Sequence, residues 1–115
     1  EEPLVALGKR MLLQLGYQVT TRTSSRAALA LFRAQPDAFD LIITDYTMPK
    51  TTGVDLARQV LTIRPDIPII LCTGYSEKIT EEQAKKYGIR EFCTKPLKRR
   101  SLAEVIRKAL DEQVS

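Results

Sequence analysis

Apolar residues recur along this chain in two alternating rhythms. Over residues 3–15, Leu4, Gly8, Met11, Leu12 and Leu15 share a face at helical spacing, and Gly16 is a natural C-terminal stop. Tyr17–Thr21 then reads as a short strand. Ser24 or Ser25 caps a helix running to about Ala34, with Pro36 beyond it. Leu41-Ile42-Ile43-Thr44 is short, branched and bounded by turn residues, the signature of a buried parallel strand. Gly53–Ile63 reads as a helix stopped before Pro65, and Pro68 opens the strand Ile69–Cys72. Thr80-Glu81-Glu82-Gln83 is a capping box that starts a helix ending at Tyr87-Gly88. Ile89–Cys93 is the last predicted strand. Ser101-Leu102-Ala103-Glu104 is a second capping box, and Leu102, Val105, Ile106, Ala109 and Leu110 share a face behind it.

The predicted order, α-β-α-β-α-β-α-β-α, argues for a parallel sheet covered by helices on both sides, a doubly wound α/β fold. Such a domain usually opens on a strand, whereas this chain opens on a helix. A length of 115 residues suits one compact domain with one core, and no linker, repeat or low-complexity segment interrupts it.

Composition removes several chemistries. The chain has no histidine, which excludes Ser-His-Asp and Cys-His catalysis. Its two cysteines, Cys72 and Cys93, both fall in predicted strands without metal-ligand spacing and read as buried, reduced thiols of a cytoplasmic protein, with a structural disulfide between neighbouring strands as the lesser alternative. The net charge of +4 is spread thinly apart from Lys98-Arg99-Arg100. That triplet flanks a predicted helix without interleaved aromatic residues, so it reads as a solvated face and no direct nucleic-acid contact is expected. No apolar stretch is long enough to span a bilayer and no signal peptide is visible, so no membrane insertion is expected of this domain.

The candidate chemistry lies at strand ends. Asp45 follows the run Leu41–Thr44 and opens the turn Tyr46-Thr47-Met48-Pro49, closed by Gly53. The carboxyl end of a central strand is where ligands bind in open α/β sheets. A carboxylate there is costly as filler and useful as a nucleophile or metal ligand. Thr73 ends Ile69-Ile70-Leu71-Cys72, and Lys95-Pro96 follows Phe92-Cys93-Thr94. Acid, hydroxyl and ammonium thus end three successive strands. A phosphorylated carboxylate becomes an acyl phosphate, whose charge Lys95 and the Thr73 hydroxyl are suited to meet. Gly74 leaves room for a phosphodonor to approach.

In Asp45-Tyr46-Thr47-Met48-Pro49 with Gly53, in Leu71-Cys72-Thr73-Gly74 and in Phe92-Cys93-Thr94-Lys95-Pro96, the chain resembles a receiver domain of two-component signalling. Gly16-Tyr17 fits too, and the resemblance covers essentially the whole chain as one receiver domain, residues 1–115. Each motif alone is weak, and three in order and spacing are strong. The resemblance implies the flavodoxin-like receiver fold, with Asp45 as acceptor of a phosphoryl group from a histidine kinase or histidine phosphotransfer domain. It implies that Thr73 hydrogen-bonds the phosphoryl group, that Lys95 pairs with it through a cis Lys95-Pro96 bond, and that Phe92 is the switch aromatic. Mg²⁺ would be held by Asp45 and the main-chain carbonyl of Thr47. Residues 80–93 and the last helix would form the surface read by an output domain or partner protein. Tyr75 is placed to shield the phosphoryl group from water.

The sequence departs from the family pattern at its start. Receivers carry an acidic pair at the end of their first strand, and both strand and pair would lie before Glu1. The expectation is an N-terminally truncated receiver with weakened magnesium binding. It would be poorly stable, or would fill the gap by strand pairing or exchange with a second copy. Two other functions compete. One is an interaction module that keeps the fold without phosphorylation. The other is an aspartate-nucleophile phosphatase of the haloacid dehalogenase type, which wants a second Asp where Thr47 stands. The stretch Thr73–Ser76 and Lys95-Pro96-Leu97 look similar to receivers of hybrid sensor kinases, whose parent protein can be membrane-anchored. A stand-alone regulator and a receiver of a DNA-binding regulator are the other settings.

Overall fold

The structure, a computed structural model, describes residues 2–48, 51–74 and 79–114. Five helices and five strands follow one another: α1 (Glu2–Gln14), α2 (Ser25–Ala34), β1 (Ile42–Asp45), β2 (Thr47–Met48), β3 (Thr51–Thr52), α3 (Gly53–Ile63), β4 (Ile69–Thr73), α4 (Glu81–Lys86), β5 (Glu91–Thr94) and α5 (Arg99–Val114). The main sheet is parallel, in the order β1-β4-β5. All five residues of β4 are buried, as expected of a central strand with both faces covered.

Two apolar layers flank this sheet. On one side, Leu29 and Phe32 of α2, Val54, Leu56, Ala57 and Val60 of α3, and Ala84 of α4 pack with Ile69 and Leu71. On the other, Ile70, Cys72 and Cys93 face Leu102, Ile106 and Ala109 of α5, with Met11 and Leu12 of α1 beside them. Helices on both faces make the sheet doubly wound, as the alternation of elements predicts. The period-2 geometry of the strands explains the division, since Ile69 and Leu71 point one way and Ile70 and Cys72 the other.

Caps set most helix ends where the sequence places them. Ser24 caps α2 by accepting from the Ala27 N–H, and Thr52 caps α3 by accepting from Asp55. Thr80 and Gln83 form the full reciprocal box on α4. Gly16 and Gly88 each adopt positive φ, at 94° and 93°. Each closes a Schellman motif: Tyr17 N–H reaches Leu12 O and Gly16 N–H reaches Leu13 O, while Ile89 N–H reaches Ala84 O and Gly88 N–H reaches Lys85 O.

Four expectations need correction. Tyr17–Thr21 keeps alternating half-buried and exposed positions but forms no strand. A strand needs a partner ladder, and the described sheet ends at β1 with none offered to this segment. The second capping box does not form. Leu102 N–H donates to Lys98 O at 2.9 Å, so α5 begins at Arg99 and Ser101 lies inside its first turn. That start sets exposed Lys98, Arg99 and Arg100 against the positive end of the helix dipole, at about 0.3–1 kcal/mol each. Burial of Leu102, at about 1.5–3 kcal/mol, offsets a large part of this. The last strand runs Glu91–Thr94 instead of Ile89–Cys93. Finally, the turn after Asp45 contains a small antiparallel ladder, Thr47 opposite Thr52 and Met48 opposite Thr51, too short to carry a period.

Candidate functional site

Parallel strands bring their carboxyl ends to one rim, and three of the predicted residues meet there. Asp45 ends β1, Thr73 ends β4, and Lys95 follows β5 directly. Register fixes their order across the rim: Asp45 pairs with Cys72, Cys72 with Cys93, and Thr73 with Thr94. The Lys95 Nζ lies 2.7 Å from Asp45 Oδ1, with side-chain exposures of 24% and 15%. At that depth the pair is partly shielded from solvent, so charge on one strongly affects the other. Lys95 is held from behind by its own backbone, whose N–H donates to Thr73 O at 2.7 Å. The Lys95-Pro96 bond is cis, as the resemblance implied.

The turn that presents Asp45 is equally fixed. Tyr46 N–H donates to Cys72 O at 2.8 Å, and Gly53 N–H donates to Tyr46 O at 2.7 Å. Gly53 is required by proximity: a Cβ there would press into the Asp45 carbonyl oxygen and stand 2.8 Å from Leu71 Cδ1. The sequence flags Gly53 only as the close of a turn. Its backbone lies against the very residue that carries the candidate chemistry.

The remaining predicted residues fall around this centre. Thr73 is buried at 3% exposure, two residues beyond Leu71, whose register partner is Phe92. Phe92 is half-buried against the layer of α2, α3 and α4. Gly74 follows Thr73 at the rim, half-buried. Thr47 is exposed two residues past Asp45. Tyr75 lies outside the described residues, as do Glu1 and the side chain of Glu2. Among the described residues, no cluster of three or more His, Cys, Asp or Glu is grouped to hold a metal ion.

Three features went unnoticed in the sequence. Arg64, just after α3, donates through Nη1 to Pro36 O at 2.9 Å and Phe39 O at 2.6 Å, and pairs with Asp66 at 3.2 Å. Glu91 is a buried carboxylate, 3.7 Å from Lys108 on α5. The charge inside a predicted strand was the visible signal for Glu91, while nothing local marks Arg64. Third, Cys72 and Cys93 are register partners, and the neighbouring thiol, with burial adding to it, raises the pKa of Cys72.

Fold and rim together define a signalling module built on an acid–lysine pair at the ends of parallel strands. Residues 1–107 match the response regulator receiver domain, and the chain belongs to that family. It is 38% identical over 101 residues to the DNA-binding transcriptional regulator NtrC of Azospirillum brasilense, covering 87% of this chain and 20% of that protein. It is 31% identical over 97 residues to a two-component response regulator of Arabidopsis thaliana, covering 84% of this chain and 25% of the relative. The chain therefore spans about a fifth to a quarter of the curated relatives it matches. A solved response regulator receiver domain protein from Clostridium thermocellum superposes with a TM-score of 0.92 at 30% identity, over 99% of this chain and 90% of that one. The chain is thus a receiver domain of two-component signalling. No helix among the described residues is long and apolar enough to cross a membrane.

Proposed function

We propose that Asp45 is the phosphoacceptor of this receiver, taking its phosphoryl group from the phosphohistidine of a histidine kinase or phosphotransfer domain. The observation that carries this reading is the 2.7 Å pair between Lys95 Nζ and Asp45 Oδ1 at the rim of the sheet. A carboxylate oxygen of Asp45 attacks phosphorus, an O–P bond forms, and the N–P bond breaks with its electrons returning to the imidazole ring. Lys95 already stands where negative charge gathers, so its ammonium needs little movement to meet the acyl phosphate. The Thr73 hydroxyl is the second donor, and Gly74 leaves the approach open.

Receiver domains typically bind Mg²⁺. The Asp45 carboxylate and the Thr47 carbonyl are hard oxygen donors, which suit an ion that keeps several of its waters. Bound there, Mg²⁺ supplies charge neutralisation for the phosphoryl oxygens.

Residues 1–115 act in this reading as one receiver unit whose two conformational states differ in affinity for a partner. Thr73 and Phe92 couple the rim to the surface of residues 80–93 and α5. Intact mass after incubation with acetyl phosphate and magnesium tests the proposal. One added phosphoryl group is expected, absent in Asp45→Ala and strongly reduced in Lys95→Ala. No uptake would instead favour a phosphorylation-independent interaction module.

A further inference from the structure

The reaction assigned to the rim leaves one group of reactive atoms unused. Cys72 and Cys93 are register partners on neighbouring parallel strands, both reduced, at 3% and 4% exposure. Both face the α5 layer, so their side chains lie on the same side of the sheet. Neighbouring strands run about 4.8 Å apart, inside the Cα separation of about 4.4–6.8 Å that a disulfide accepts. Cys72 is also the register partner of Asp45, and each cysteine stands within two residues of a group assigned to the phosphoryl site, Thr73 or Lys95.

We propose that Cys72 and Cys93 form a redox-responsive dithiol, which peroxide converts to a disulfide that lowers the phosphoacceptor activity of Asp45. The consequence for phosphorylation rests on the function proposed above, whereas formation of the disulfide does not. Disulfide closure needs the two Cβ atoms about 3.5–4.5 Å apart, so the ends of β4 and β5 must draw together. Those ends carry Thr73 and Lys95, linked by the 2.7 Å bond from Lys95 N–H to Thr73 O. Because β4 lies between β1 and β5, the approach shifts Lys95 out of its seat on the Asp45 carboxylate, and it makes the bond a strained, readily reduced one.

The chemistry balances with peroxide as the named oxidant. The Cys93 sulfur, as thiolate, attacks one peroxide oxygen. The O–O bond breaks, and the departing hydroxide takes up a proton to become water, leaving a sulfenic acid. The Cys72 sulfur then attacks Cys93 sulfur, the S–O bond breaks, and a second water leaves with the Cys72 proton. Two thiols and one peroxide give one disulfide and two waters, the sulfurs losing the two electrons that peroxide gains. Cys93 is the thiol next to the exposed Thr94, which suits it to the first step. Access runs from the rim, since Thr94, next to Cys93, is exposed and Asp45 is partly so.

The test treats the full-length natural protein with hydrogen peroxide and maps its peptides without reduction. The expected result is a peptide linking Cys72 to Cys93, lost after dithiothreitol. Phosphate uptake from acetyl phosphate by the oxidised form should be slower by on the order of tenfold, a modest effect for a displaced reacting group. Dithiothreitol should restore it in the wild type, a reversal that requires no variant. Cys93→Val should remove the peroxide effect on uptake. Absence of the linked peptide overturns the proposal, as does a linked protein that takes up phosphate at the reduced rate. If the reduced protein takes up no phosphate, the function proposed above fails and the coupling falls with it, while the linked peptide still establishes the dithiol.

Discussion

Gly53 shows how a single residue can serve the backbone and the chemistry together. Its missing side chain lets α3 begin directly against Asp45 and Leu71. In Gly53→Ala, the new methyl meets backbone on one side and a core leucine on the other, so neither neighbour yields cheaply. We expect a loss of about 1–3 kcal/mol, measured as a lower urea midpoint with an unchanged slope. Phosphate uptake should fall as well, because the Asp45 carbonyl must shift. At this scale the sequence was informative about which atoms matter and less so about their support. Asp45, Thr73 and Lys95 could be named because acid, hydroxyl and lysine each end an apolar run. The Arg64 contacts to Pro36 and Phe39 were invisible, since they join positions 28 and 25 residues apart through backbone oxygens that leave no pattern.

Among the elements, the helices were read closely because caps and apolar stripes are local. Gly53–Ile63 was placed to the residue, and the box on α4 forms as written. Thr80→Ala removes the acceptor for Gln83 N–H, and should cost about 1 kcal/mol by chemical denaturation. Arg64→Leu removes the donors to two carbonyls in the loop between α2 and β1, with an expected loss of about 1–3 kcal/mol by the same measurement. Strands were legible where a continuous apolar run marks them, as in β1 and β4. Tyr17–Thr21 has the alternation of a strand, yet pairing depends on a neighbour that a local pattern cannot supply. The start of α5 failed for a related reason, since packing of Leu102 moved the helix origin ahead of a well-formed box signal.

For the molecule as a whole, burial is graded across the sheet. β4 is enclosed on both faces and both edges, while β1 closes the described sheet. Ile42 and Tyr46 donate their N–H groups toward β4, so by alternation the Ile43 N–H points to the other edge. Hydrogen exchange on the 115-residue chain should therefore protect Ile70, Leu71 and Cys72 most and Ile43 markedly less. Equal protection of Ile43 and Leu71 would show that another strand covers that edge in solution. The two ends of the sheet differ in another way. Arg64 ties the loop between α2 and β1 to the loop between α3 and β4 at the end opposite Asp45 and Lys95, so one pole holds fixed parts and the other holds the groups proposed to react. A mutational library should split accordingly into two nearly independent maps. One set of variants would change how much protein accumulates, and the other would change how well it responds, so that selection could retune the response without rebuilding the scaffold.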